Sequence, residues 1–295
     1  MEIKNKLKKV LPTTMAKSNL MYQNLLNEIA VMKSKTIPRV MLDYEVQLVE
    51  HCNLNCKGCS HFSPLCSEEL LDINEYKKDC ERLSYLFNKK ANFIKLMGGE
   101  PLLHPNVELF LEVTRENFPD STIDLDTNGI LVLSMKKDFW KAMKKNRINL
   151  TITKYPINID YDKIKKKCEE EKVNFRFFDE KGFRDFAHLP LDLEGRCPIE
   201  SNFIKCYLAN SCHTLKQGKM YTCSTIGHVN HFNEYYGCNL SVTDEDSIDI
   251  YKVKNKEEIL SFFAKPVPFC RYCNVDKRTW NHKWEKSKKD IKEWT

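Results

Sequence analysis

The sequence contains no apolar run of the roughly 18 residues that are needed to cross a bilayer. Its first residues, Met1-Glu2-Ile3-Lys4, lack the apolar stretch of a secretory signal peptide. Both absences argue against a membrane-spanning or secreted chain. We therefore expect a protein without a transmembrane segment that works in the cytoplasm.

The sequence also lacks a concentrated charge of one sign. Lysine and arginine number 47, and aspartate and glutamate number 41, so the formal net charge is +6. This small excess is spread along the chain, whereas nucleic-acid-binding domains gather their basic residues on one face. We expect no nucleic-acid partner.

Cysteine, in contrast, is abundant, with 13 residues among 295. Disulfide scaffolds are typically small secreted domains, and a long chain without a signal peptide does not fit that class. The cysteines are better explained as metal ligands and buried thiols in a reducing compartment. Cys80 and Cys168 lie on apolar helix faces and are expected to be buried thiols.

Three cysteines share one short loop. Cys52, Cys56 and Cys59 have the spacing C-x3-C-x2-C and directly follow a strand-like run over residues 42–49. Three thiolates can hold three irons of a 4Fe–4S cluster and leave the fourth iron open, whereas such clusters normally take four thiolates. For the spacing taken alone, a structural zinc site is the alternative.

Two further motifs stand at the ends of strand-like runs. The run over residues 93–97 ends in GGEP (98–101), and the run over residues 122–126 ends in TNG (127–129). Strand-like and amphipathic helical segments alternate, which is typical of a parallel sheet. Ser134 and Asp160 are candidate N-caps of two of the helices. The candidate strands are 42–49, 92–97, 122–127, 149–154 and 173–179.

A cysteine triad after the first strand, GGEP after the second and TNG after the third resemble, in this order, the radical S-adenosylmethionine (radical SAM) enzymes. The resemblance runs over residues 41–179 and implies an α/β fold, an open (β/α)6 partial TIM-type barrel with its active site at the C-terminal strand ends. We expect a helical extension over residues 1–40, the barrel core over 41–187 and a small cysteine-rich, cluster-binding domain over 188–295.

The resemblance also implies roles for these residues. Cys52, Cys56 and Cys59 would hold a 4Fe–4S cluster whose open iron binds S-adenosylmethionine. A flavodoxin or ferredoxin-type donor would supply the electron that cleaves this cofactor, and the resulting 5′-deoxyadenosyl radical would take a hydrogen atom from the substrate. The family commonly has an aromatic residue before the third cysteine, where this chain has Gly58. The residues expected near the cofactor are Gly98, Gly99, Glu100, Thr127, Asn128, His61 and Phe62.

One face of several predicted strands is polar. Alternation places Glu45 and Gln47 on one face of the first strand, and Asp124 and Asp126 on one face of the third, each opposite apolar neighbours. This pattern predicts a water-filled interior cavity, and we therefore expect a polar substrate. Arg176, near the end of the fifth strand, is a candidate for binding a phosphate or carboxylate.

A second metal site is predicted in the C-terminal part. Cysteines around a Gly218-Lys219 turn, followed by a C-x2-C pair, resemble the auxiliary 4Fe–4S region called a twitch domain, a shortened relative of the SPASM domain. Zinc is the alternative metal. His228 and His231 are candidate ligands, although surface histidines are more frequent than ligands. The candidate ligands are Cys206, Cys223, Cys270 and Cys273, with Cys212 competing with Cys206 for the first position.

Together these features favour a radical SAM enzyme that abstracts hydrogen from a polar small molecule, a sugar or aminocyclitol derivative. It would act as a dehydrogenase, epimerase or rearranging enzyme, with the auxiliary cluster accepting an electron in the first case. Radical crosslinking or epimerisation of a peptide or protein is the alternative. A non-catalytic metal-binding module is a third hypothesis, against which the intact triad and the intact GGE sequence argue.

Overall fold

The computed structural model describes residues 21–178 and 186–295. Five parallel strands follow one another across its main sheet, each pairing with the next. They are β1 (Leu42–Gln47), β2 (Ala91–Met97), β3 (Thr122–Thr127), β4 (Asn149–Thr153) and β5 (Phe175–Phe178). Each coincides with a strand expected from the sequence, so the predicted parallel α/β core is confirmed.

Helices cover the apolar face of this sheet. Those of the core are α2 (Ile73–Leu86), α3 (Val107–Asn117), α4 (Lys137–Lys145) and α5 (Tyr161–Glu171). The helix before them, α1 (residues 21–36 in the described part), is largely exposed, and its end bonds to Ala209 and Asn210. The carboxylate of Asp72 accepts a hydrogen bond from the Asn74 N–H and caps α2. Helical spacing then places Tyr76 and Leu83 on the face that is buried against the strands.

Two expectations about helix starts had different outcomes. Asp160 caps α5 by accepting from the Lys163 N–H, as predicted. The prediction that Ser134 caps the next helix upstream is wrong, because α4 begins at Lys137 and the Ser134 hydroxyl donates to Leu131 O within a 3-10 turn. The helical extension is present as α1, while residues 1–20 of it lie outside the described part.

The main sheet continues past β1 with strands from the C-terminal part. β7 (Thr214–Lys216) pairs in parallel with β1, and β8 (Lys219–Tyr221) and β9 (Ser247–Asp249) follow in antiparallel fashion. The order is therefore β5-β4-β3-β2-β1-β7-β8-β9. The sixth parallel strand is β7, which lies beyond β1, whereas β5 forms the other edge of the sheet. These two strands do not pair, so the sheet stays open, as a partial barrel requires.

The turn between β7 and β8 is the tight hairpin expected at Gly218. Gln217 and Gly218 have φ angles of 51° and 71°. Two successive residues with positive φ are the signature of a two-residue type I′ turn, which matches the twist of the paired strands. Gly218 also contacts its surroundings closely, since a Cβ there would lie 2.9 Å from the Tyr251 ring.

The C-terminal part has its own hydrophobic cluster. The helices of this part of the chain are α6 (Ile199–Lys205), α7 (Ser224–Tyr236) and α8 (Lys256–Phe263). A small antiparallel sheet is formed by β6 (Phe186–His188) and β10 (Thr279–His282). Phe232 of α7 packs there with Phe62 and Trp294, which come from the triad loop and the chain end. The triad loop is thus held by residues far from it in sequence. Across residues 21–178 and 186–295, no helix is long and apolar enough to span a membrane.

Candidate active site

The three triad cysteines lie on the loop that leaves the C-terminal end of β1, all unpaired and partly exposed. Burial raises the pKa of Cys52 to about 11 and that of Cys56 to about 12. Their thiols therefore need a positive partner such as a metal to ionise at neutral pH.

The spacing of the thiols distinguishes between two kinds of metal. Within the described ranges, one group of three potential metal-binding side chains has its ligand atoms all within 4.8 Å of one another. None of the three is a cysteine. Thiolates around one zinc ion would lie about 3.8 Å apart. Thiolates on different irons of a cluster stand farther apart. The triad is therefore not preformed around a single zinc ion, and its role as a cluster site stays a prediction.

The C-terminal segment, residues 283–295, covers the triad loop. The Lys57 N–H donates to Glu285 O (2.9 Å), and the two backbones pair in antiparallel fashion. Gly58 explains the departure from the family pattern, because its φ is +64° and a Cβ there would lie 3.0 Å from Glu293 O. Any side chain at this position would be strained by the positive φ and close to that carbonyl oxygen. Sequence reasoning missed this cover, which only the folded chain brings to the loop.

Two indoles of this segment bind the triad loop. The Trp284 Nε1–H donates to Cys56 Sγ (3.2 Å), and the Trp294 Nε1–H donates to Cys59 O (2.9 Å). Trp284 is half-buried and Trp294 is buried. One triad sulfur and one triad carbonyl are thus each fixed by a tryptophan from the end of the chain.

Gly98 and Gly99 let the end of β2 approach the triad loop. A Cβ on Gly98 would lie 2.5 Å from Val49 O, and one on Gly99 would lie 2.1 Å from His51 O. The Gly99 N–H instead donates to Val49 O (2.7 Å). The glycines are therefore required by the chain's own backbone, and their expected contact with the methionyl group stays a prediction.

Glu100 joins the ends of β2 and β3. Its carboxylate is fully buried and accepts from the Thr127 hydroxyl (2.7 Å), the Asn128 N–H (2.9 Å) and the Leu102 N–H (3.1 Å). Burial raises its pKa to about 7. Asn128 in turn reaches the first triad cysteine, since its Nδ2 lies 3.7 Å from Cys52 Sγ. The GGE and TNG motifs therefore meet beside the triad.

The polar strand faces line the inside of the partial barrel, as the alternation predicted. Register places Glu45, Lys95 and Asp124 side by side on β1, β2 and β3. Arg176 Nη2 lies 2.5 Å from Asp124 Oδ2, and its Nε donates to Thr151 Oγ1 (3.0 Å). The guanidinium of Arg176 is thus bonded within the chain, in place of the ligand anion considered for it.

Several polar atoms on this inner face have no hydrogen-bond partner within the described residues. They are both amide atoms of Gln47, Asp126 Oδ1 and His228 Nε2, and all are shielded from solvent. Burial raises the pKa of Asp126 to about 7, with the nearby Asp124 adding to the shift. Buried polar atoms without partners cost free energy, so these atoms are poised to bind a polar ligand or water.

His61 links the triad to the polar face. Burial alone would lower the pKa of His61, but its hydrogen bonds to Cys59 and Glu45 raise it to about 10. The same contact outweighs burial at Cys59 and lowers the pKa of that thiol. The imidazole thus lies between Cys59 and the Glu45 carboxylate, whose Oε1 is 3.4 Å from His61 Nε2.

Phe62 lies in the C-terminal hydrophobic cluster. Its ring is 1% exposed and packs 5.6 Å from the Phe232 ring and 6.3 Å from the Trp294 ring, measured between centroids. Packing accounts for this side chain, and its contact with an adenine stays a prediction.

The structure gathers four of the five C-terminal cysteine candidates. Burial and the neighbouring thiols raise the pKa of Cys223 and Cys273 well above the ordinary value. Cys212 lines a pocket with Glu45 and Lys95, and these two charges act on its pKa more strongly than Cys206 does. Cys206 follows the end of α6, Cys223 precedes α7, and Cys270 and Cys273 lie in and directly after a 3-10 turn. Their four thiols are neighbours.

The expectation that His228 and His231 lie at the surface is wrong. They are 0% and 2% exposed, and His228 Nδ1 and His231 Nε2 each lie 2.9 Å from Glu50 Oε2. Lys216 Nζ lies 3.0 Å from the other oxygen, Glu50 Oε1. Burial alone would raise the pKa of Glu50, but the histidines and the lysine hold it well below its usual range.

This buried network joins the segment between β1 and the triad, where Glu50 lies, to β7 and α7. The three side chains Glu50, His228 and His231 have the spacing of a metal site. The Glu50 carboxylate already has the Lys216 ammonium as its cation, so the group is better described as an ion-pair network. Its sequence signals are the three-residue spacing of His228 and His231 and the glutamate that stands two residues before Cys52.

Comparisons with known proteins identify one matching family model and several similar proteins. Residues 46–186 match the family model described as "Radical SAM superfamily". The chain is similar to a GTP 3′,8-cyclase of Desulforamulus reducens, with 25% identity over 78% of this chain and 75% of that protein. A GTP 3′,8-cyclase of Trichodesmium erythraeum is 34% identical over 38% of this chain and 34% of that protein. The chain thus spans three quarters of one relative and a third of the other.

Among solved structures, the crystal structure of BtrN in complex with AdoMet and 2-DOIA has a similar fold. The TM-score is 0.53 and the identity 17%, over 81% of this chain and 94% of that chain. At this identity the similarity concerns the fold, and it supports the partial-barrel architecture.

Proposed function

The chain belongs to the radical SAM superfamily, and on that premise we propose that it oxidises a polar small molecule, a sugar or aminocyclitol derivative, by hydrogen-atom abstraction. The observation that carries the proposal is the polar inner face of the partial barrel, with its unpartnered Gln47 and Asp126 next to the triad. Oxidation of an alcohol to a ketone removes one hydrogen atom, one proton and one electron, and each needs an acceptor.

The hydrogen-atom acceptor would arise at the triad. Cys52, Cys56 and Cys59 would hold the cluster, and Gly98, Gly99, Glu100, Thr127 and Asn128 would surround S-adenosylmethionine. When bound, this cofactor pair supplies a 5′-deoxyadenosyl radical. The reducing electron would come from a flavodoxin or ferredoxin-type donor.

The proton acceptor would be Asp126. It lies at the end of β3, one residue before the TNG motif, with Oδ1 shielded and unpartnered. Burial raises its pKa to about 7, so near neutral pH it can take the hydroxyl proton of a bound alcohol and release it again.

The electron acceptor would be an auxiliary 4Fe–4S cluster. Four cysteines fill all four iron positions, so such a cluster can exchange electrons but has no open iron for a substrate. Their thiols act on one another's pKa, and no three cysteine sulfurs of the described chain lie within 4.8 Å of one another, so they are not preformed around a single zinc ion. The proposed ligands are Cys206, Cys223, Cys270 and Cys273.

The charge of the inner face favours a neutral or amino-bearing substrate. Four carboxylates, Asp43, Glu45, Asp124 and Asp126, are on this face of β1 and β3, whereas the strands contribute two cations, Lys95 and Arg176. Arg176 is bonded to Asp124 and so brings no free positive charge. An aminocyclitol or amino sugar, rich in donors, would suit these acceptors.

Cyclisation of GTP is the second candidate, because the curated relatives are named for that reaction. A triphosphate carries several negative charges and would need unpaired cations. The cations beside this face are largely engaged by its own carboxylates, Arg176 by Asp124 and His61 by Glu45, so we rank GTP cyclisation below the oxidation.

Iron counting followed by a substrate screen tests the proposal. Anaerobically reconstituted wild type should hold about eight irons, and the C52A/C56A/C59A and C206A/C223A variants about four each. Aminocyclitols, amino sugars and GTP would then be assayed for 5′-deoxyadenosine formation and ketone products. About four irons with bound zinc in the wild type would exclude an electron-accepting second cluster. Turnover with GTP alone would establish the second candidate instead.

A further inference from the structure

A tryptophan from the end of the chain donates a hydrogen bond to a sulfur of the triad. The indole N–H of Trp284 points at Cys56 Sγ, with 3.2 Å between the nitrogen and the sulfur. Neither the triad spacing nor the strand-end motifs predict this partner, because Trp284 stands in a lysine-rich stretch 228 residues away. An indole donates and does not accept, so the bond has one direction.

The surroundings fix the indole in this position. Residues 285 and 286 pair with the triad loop, through the Lys57 N–H to Glu285 O and the antiparallel bridge between Cys56 and Lys286. On its other side the indole meets the Tyr155 ring edge to face, with 6.2 Å between the centroids. Since both the backbone and the ring are held, the N–H stays aimed at the sulfur.

We infer that Trp284 is a positioning residue that makes the triad cluster easier to reduce, by donating its indole N–H to the Cys56 sulfur. Reduction adds negative charge to a cluster and to the sulfurs that ligate it. A hydrogen bond to a sulfur therefore stabilises the reduced state more than the oxidised state, and shifts the potential upward. This inference rests on the cluster of the proposed function, and is independent of the substrate.

The chain contains a matched comparison for this bond. Trp294 binds the same loop through the same kind of indole N–H, but its acceptor is the backbone carbonyl of Cys59. Trp280 lies in the same terminal region, is 52% exposed and contacts Arg278. One tryptophan thus binds a triad sulfur, one binds a triad carbonyl, and the third stands apart from the loop.

The test is an anaerobic redox titration of reconstituted wild type, W284F, W294F and W280F, followed by EPR. The triad cluster is the one whose spectrum changes when S-adenosylmethionine is added. Phenylalanine keeps a ring against Tyr155 and removes the N–H. We expect W284F to lower the one-electron reduction equilibrium constant about tenfold, a midpoint potential about 59 mV more negative. W294F and W280F should stay within about twofold of the wild type.

Equal shifts in W284F and W294F would overturn the inference, because they would indicate general loosening of the loop. An unchanged potential in W284F would overturn it as well. If W284F fails to retain iron, 15N-indole-labelled W294F decides the question: its reduced cluster should show a 15N coupling from Trp284, and absence of the coupling refutes the bond. Iron counts without any triad cluster would refute the proposed function itself.

Discussion

Replacing Gly99 by alanine should displace the triad loop from the end of β2. The new Cβ would lie 2.1 Å from His51 O, 2.3 Å from His51 C and 2.8 Å from Glu50 O. All three are backbone atoms, which cannot rotate out of the way as a flexible side chain would. Ordinary contact begins near 3.4 Å, so the loop must move by more than an ångström.

The magnitude follows from the bonds that this movement breaks. The Gly99 N–H donates to Val49 O (2.7 Å), and the Glu100 N–H donates to His51 O (3.1 Å). Leaving such buried groups unpaired costs about 1–3 kcal/mol each, so we expect a loss of about 2–6 kcal/mol. That is a large share of the total stability of an ordinary domain, about 5–15 kcal/mol.

Urea unfolding of the metal-free chain and iron retention after reconstitution measure the effect. Gly227→Ala is the control, because Gly227 lies inside α7 and its added Cβ would first meet Thr214 Cγ2 at an ordinary 3.4 Å. Alanine is favoured over glycine within a helix by about 1 kcal/mol, so this variant should gain slightly. A Gly99→Ala chain as stable as the wild type, with full iron content, would refute the steric argument.

Three further predictions concern buried charge and metal. Glu50→Leu should cost about 3–5 kcal/mol in urea unfolding, since it leaves Lys216 buried without its partner, and adding Lys216→Met should restore part of the loss. If adding Lys216→Met restores none of the lost stability, the broken ion pair is not the cause of the loss. Asp126→Asn should be more stable than the wild type at pH 8, with a difference that shrinks as the pH falls from about 7 toward 3.8. The folded-state pKa is raised, so the folded wild type keeps a proton that the unfolded chain loses, and rising pH removes that advantage. Equal pH profiles in chemical denaturation would contradict it. Cys206→Ser should remove about four irons from the reconstituted chain, and Cys212→Ser none; the reverse would reassign the ligand.

Much of the fold could be predicted because its signals are local. The alternation of Glu45 and Gln47 with apolar neighbours sets the two faces of β1, and the capping Asp160 sets the start of α5. Gly218 marks the hairpin turn through its backbone freedom alone. Ser134 shows the limit of such reasoning, since a serine can cap a helix or bond back to the preceding turn, and packing decides between them.

The candidate site could be predicted where its parts share a strand end. The triad, GGEP and TNG each follow a strand, and parallel strands bring their C-terminal ends together, so Glu100 meets Thr127 and Asn128. The Arg176 anion site could not be judged in this way, because Asp124 is its neighbour only through sheet register.

The sequence alone determined which residue types are present for metal and cofactor chemistry, and at which strand ends they stand. Tertiary structure decided which of them meet. Cys206 joins Cys223 whereas Cys212 faces Glu45, and Trp284 reaches Cys56 from 228 residues away. Local propensities act over a few residues, whereas such contacts depend on how the sheet, α7 and the chain end pack around one another.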